Sequence, residues 1–85
     1  MTTERNEARE AEAYDELRRR ADRICSLIVA SDYPAIDVVI QIRRLREFVS
    51  REFPARVDLF EKVYESRFRR LWQQFRSDEE DLPEW

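Results

Sequence analysis

Apolar residues recur at helical spacing in three stretches, and prolines stand at the two joins between them. The middle stretch, PAIDVVIQIRRLREFVSREF over 34–53, places Val38, Ile42, Leu45, Val49 and Phe53 at steps of 4, 3, 4 and 4. Such steps stack side chains on one face of an α-helix. Ile36, Val39 and Ile40 point away from that face, so this helix asks for cover on more than one side and reads as the central one.

Upstream, Tyr14, Leu17, Ala21, Ile24 and Ile28 follow steps of 3, 4, 3 and 4, two heptads of a left-handed packing seam. The helix that carries them is expected from about residue 4 to about residue 30. Thr2 or Thr3 would cap it, and its first turns hold acids, alanines and arginines with little to bury. The segment SDYP breaks it, with Asp32 as the expected N-cap of a second helix over 34–52 and Pro34 in its first turn.

Pro54 disfavours helical geometry at Phe53 and restarts the chain as a third helix over 54–76. There Val57, Phe60, Tyr64, Phe68, Leu71 and Phe75 form the expected buried seam, with Trp72 at its edge and Leu59 and Val63 roughly opposite. Short connections between such helices make antiparallel neighbours. The expected fold is therefore all-α: a three-helix antiparallel bundle over 1–76. Its long first helix overhangs the others, and residues 77–85 form a short acidic C-terminal tail.

Composition narrows the function classes. Glycine is absent, and phosphate-cradling loops and nucleophile elbows depend on glycine for their tight backbone. There is no histidine and one cysteine, Cys25, so the usual catalytic base is missing and a four-ligand zinc site cannot be assembled. Cys25 lies near the apolar face of the first helix and reads as a small core residue. Glu61 and Glu65 are four apart, with Asp37 as a possible neighbour, but a di-iron bundle site needs a histidine beside its carboxylates. No catalytic residue, metal ligand or cofactor site is expected, and no small-molecule substrate. A lone cysteine fits a reducing, cytoplasmic setting. The N-terminus lacks the order of a secretory signal, and no apolar run approaches the ~20 residues of a membrane span.

The net charge of −3 hides an uneven distribution. Residues 1–17 carry six acids against two arginines, residues 18–76 fourteen bases against eight acids, and residues 77–85 five acids and no base. Arginines cluster on each helix. Acids at helical spacing, Glu16 beside Arg19 and Arg20 or Glu65 beside Arg69, read most of them as salt-paired surface.

Two classes of function follow. The leading one is a non-enzymatic protein working through protein–protein contact, as a homodimer or an accessory subunit. Its candidate interface is Leu27, Val29, Ile36, Val39 and Ile40 around the first interhelical turn, then Leu59 and Val63, then Leu82 and Trp85 in the tail. The alternative is a nucleic-acid-associated regulator that uses Arg18, Arg19, Arg43, Arg44 and Arg70, with the acidic tail as an internal competitor.

Overall fold

The computed structural model describes residues 2–30 and 32–76, with side chains from residue 7 onward. Helix α1 runs Thr2–Ala30 and α2 Ala35–Glu52. A third rod is assembled from four consecutive pieces: a 3-10 turn Pro54–Arg56, α3 Val57–Phe60, a π turn Glu61–Glu65, and α4 Ser66–Phe75. The three rods pack as an all-α bundle, with α2 antiparallel to both neighbours and the third rod alongside α1. No strand is present among the described residues. The expected acidic tail over 77–85 lies outside them.

In α1 and α2 the core takes in the residues the spacing predicts apart from Tyr14, and Phe48, off the α2 seam, is buried with them. Leu17, Ala21, Ile24 and Ile28 meet Val38, Ile42, Leu45, Val49 and Phe53 in one buried cluster, which Phe60, Phe68 and Trp72 complete from the third rod. Every residue from Glu7 to Glu12 is exposed, which is the expected overhang of the first helix. Tyr14, at the start of its seam, is already at the edge: its ring rests 4.7 Å from that of Phe53 and its rim is open to solvent.

Helix ends differ from expectation in detail. α1 begins at Thr2 rather than near residue 4, and the side chains of Thr2 and Thr3 lie outside the described part. Pro34, not Asp32, is the N-cap of α2; its carbonyl accepts from the N–H groups of Asp37 and Val38 at 3.0 and 3.2 Å. Phe53 then leaves the helix with φ −136° while its N–H still donates to the Val49 carbonyl, and Pro54 opens the next turn. Phe53 thus leaves the α region, which a following proline disfavours.

The third rod departs most from the expected seam. In the π turn the Ser66 N–H donates to Glu61 O, five residues back, so one extra residue is wound into the helix. The buried positions therefore run Phe60, Glu65, Phe68, Trp72 and Arg76, with a step of five across the turn. Downstream of the turn, Trp72 moves from the edge of the seam into the core. Leu71 is left half-buried and Phe75 is 45% exposed.

Candidate protein-interaction surfaces

Two inward-facing charges hold the bundle in the shape that displays its surfaces. The Arg46 guanidinium on α2 forks onto the carboxylate of Glu65, Nε to Oε2 at 3.0 Å and Nη2 to Oε1 at 2.7 Å. Glu61 adds a longer contact to the same guanidinium at 3.4 Å. The pair Glu61 and Glu65 thus converges, but on an arginine that occupies the place a cation would take. Glu65 was expected to serve the surface beside Arg69; the π turn instead carries it to the α2 side, where it is buried. Among the described residues no group of three or more potential metal-ligating side chains comes together.

Arg76 is the second such charge, and sequence spacing does not reveal it. From the end of α4 its Nε donates to Ile28 O at 2.9 Å and its Nη2 to Leu27 O at 2.7 Å, both in the last turn of α1. Nη1 donates to Tyr33 O, and the guanidinium lies 4.7 Å from the Trp72 ring centroid. A helix end leaves carbonyls without intrahelical partners, often satisfied through a glycine cap. This glycine-free chain supplies an arginine from 48 residues away, and its positive charge also suits the negative end of the α1 dipole.

With these contacts in place, the predicted interface residues separate. Val39 is 3% exposed, so within the single chain it is a buried residue rather than part of an open patch. It stands two helical turns before Arg46, on the flank of α2 from which Arg46 meets Glu65 of the third rod. Leu27 is half-buried against the core. Ile36 at 60%, Val29 at 44% and Ile40 remain open, and all belong to the end of the bundle where α1 stops and α2 begins. Phe75 joins that end, because Arg76 beside it reaches the last turn of α1 and the turn that follows. Leu82 and Trp85 lie outside the described residues.

Leu59 and Val63 form a separate surface on α3 and the π turn, at 56% and 44% exposure. Beside them a groove of about 220 Å³ opens between α1 and the third rod, lined by Tyr14, Leu17, Phe53, Leu59, Val63 and Tyr64 among others. Its lining is mainly apolar. Arg56 forms one rim, its guanidinium 5.5 Å from the Tyr14 ring centroid. Tyr14 and Phe75 escaped prediction as surface residues because both sit on ideal seam positions. They are the first and last of their seams, where cover is incomplete.

The chain matches no protein-family model, and no curated protein or solved structure is significantly similar to it. Any functional assignment therefore rests on the surfaces themselves.

The arginines named for a nucleic-acid surface are all exposed and are spread over all three rods. Arg18 and Arg19 stand on α1, Arg43 and Arg44 on α2, and Arg70 on α4. Arg44 lines a shallow cleft between α1 and α2 with Arg20, Arg23 and Glu16. Glu16 is in hydrogen-bond contact with Arg20 at 2.8 Å and Arg19 at 3.0 Å, as the helical spacing predicts. The hydrogen bond from Arg20 does most to hold its carboxyl below the ordinary value. Arg20 also lies 4.6 Å from the Phe48 ring centroid, so its stem and charge cover an edge of the core.

Cys25 is half-buried and packs against the core, and burial pushes its thiol up from the usual value against the opposing pull of Arg67. Alkylation by iodoacetamide at pH 7.5 is expected to be several-fold slower in the folded protein than in urea, because the thiolate is the nucleophile. Equal rates in the two states would contradict this environment. With the folded value raised, the thiol's contribution to stability is present below the unfolded value and is lost as pH rises through the folded one.

Among the described residues no helix is long and apolar enough to cross a membrane.

Proposed function

We propose that this chain is a non-enzymatic helical protein that works by protein–protein contact in the cytoplasm, pairing with a second copy of itself. The observation that carries the reading is the exposure of large apolar side chains in two patches of a small, highly charged chain. Val29, Ile36, Ile40 and Phe75 lie at one end of the bundle, and Leu59 and Val63 on the third rod. Contiguous exposed apolar surface on a small protein marks an interaction site, and a two-fold homodimer is the commonest closed assembly. A lone cysteine suits a reducing compartment.

The test is absolute mass by light scattering on a sizing column from low to high micromolar concentration. A mass near twice 10.4 kDa is expected, and a monomer at every concentration overturns the pairing. Ile36→Glu and Leu59→Glu change exposed positions and are expected to keep the helical circular-dichroism spectrum. Val39→Glu reports on folding rather than association, because its side chain is buried.

A further inference from the structure

We infer that the second copy docks on the α3–π surface, with Leu59 of one chain beside Val63 of the other across a two-fold axis. This inference rests on the self-pairing proposed above and assigns it a surface.

Leu59 and Val63 are four residues apart and point to solvent from the same side of the third rod. Asp58 and Lys62 are also four apart, both exposed, and flank that pair on one side. On the other side the rod turns toward Arg56, which is held against the Tyr14 ring, and toward the groove. When two such rods cross antiparallel about an axis near Glu61, like flanks meet. Asp58 then faces Lys62 of the second copy, and Lys62 faces its Asp58. An apolar pair thus carries beside it a charge pair that is complementary to itself under two-fold rotation. Flanking charges of this kind set partner choice and orientation in helix pairs.

No ion pair engages Asp58 or Lys62 among the described residues, and Lys62 is the only lysine in a chain with fifteen arginines. The end patch offers no such pattern. Around Ile36 and Ile40 the α2 charges are the half-buried Asp37 and the exposed Arg43 and Arg44, with no acid and base four apart beside the two isoleucines. The π turn matters here too, since the extra residue holds Val63 outward while Glu65 turns in to Arg46.

The experiment uses the full chain and two single charge reversals, Asp58→Lys and Lys62→Asp, followed by light scattering and sedimentation. Each variant alone places two like charges opposite each other and is expected to raise the dimer dissociation constant at least about tenfold. Mixed in equal amounts, the two restore both attractions. They are expected to form a heterodimer at concentrations where each alone is monomeric, and Asp58→Lys with Lys62→Asp in one chain restores the homodimer. Val63→Glu is expected to abolish pairing with its helical spectrum unchanged.

A wild-type monomer at all concentrations overturns the self-pairing reading and this surface together. A wild-type dimer that both reversals leave intact, but that Ile36→Glu or Ile40→Glu dissolves, keeps the self-pairing reading and overturns this surface.

Discussion

Replacing Arg76 by alanine is expected to cost about 3 kcal/mol of folding stability, because it strips a donor from several buried main-chain acceptors together. Three main-chain carbonyls, those of Leu27, Ile28 and Tyr33, lose their donor at once. Unmade hydrogen bonds at buried sites cost about 1–3 kcal/mol each, and water entering the vacated space returns part of that. Trp72 also loses the cation over its ring. Equilibrium urea unfolding followed by circular dichroism measures the change. Arg76→Lys is expected to recover only a fraction, since one ammonium group cannot reproduce a fork that reaches both α1 and the turn after it. A loss below about 1 kcal/mol for Arg76→Ala would show that other groups hold the end of α1.

The second large effect is expected at Glu65. Glu65→Ala removes both short bonds to the Arg46 guanidinium, which is one-third exposed and can turn toward water, at a cost of about 1–2 kcal/mol in the same assay. The double change Arg46→Met with Glu65→Leu removes both charges and fills the space with apolar atoms. It is expected to be close to neutral, because two desolvation costs disappear along with the attraction. If the single and the double variants are equally destabilised, the site depends on the ion pair itself, and the π turn that presents Glu65 has no apolar substitute.

Both effects reside in side chains that a hydrophobic pattern treats as surface. Glu65 and Arg76 enter the interior because one π turn shifts the buried face of the third rod by a residue, and a polar sequence position carries no mark of that shift. The same shift explains why Trp72 is buried and Phe75 open. In the expected seam, Phe75 was a core position and Trp72 an edge position. Val39 shows the converse limit. Its spacing is that of a second surface, yet the flank of α2 it occupies turns toward the third rod, and only the packing of the two decides that.

By itself the sequence determined the helical class, the breaks near Pro34 and Pro54, the overhang of α1 and most of the core of α1 and α2, Phe48 excepted. These follow from local preferences and from apolar periodicity, which act within a few turns of one helix. It also placed Ile36, Val39, Ile40, Leu59 and Val63 off every seam, without deciding which of them are covered. The tertiary structure alone decided where the third rod takes its extra residue, which charges go inside, and which off-seam residues find cover. Those outcomes depend on partners up to 49 residues away, as in the bond from Arg76 to Leu27. A buried charge is tolerated only where such a partner meets it, so no stretch of sequence read alone contains the answer.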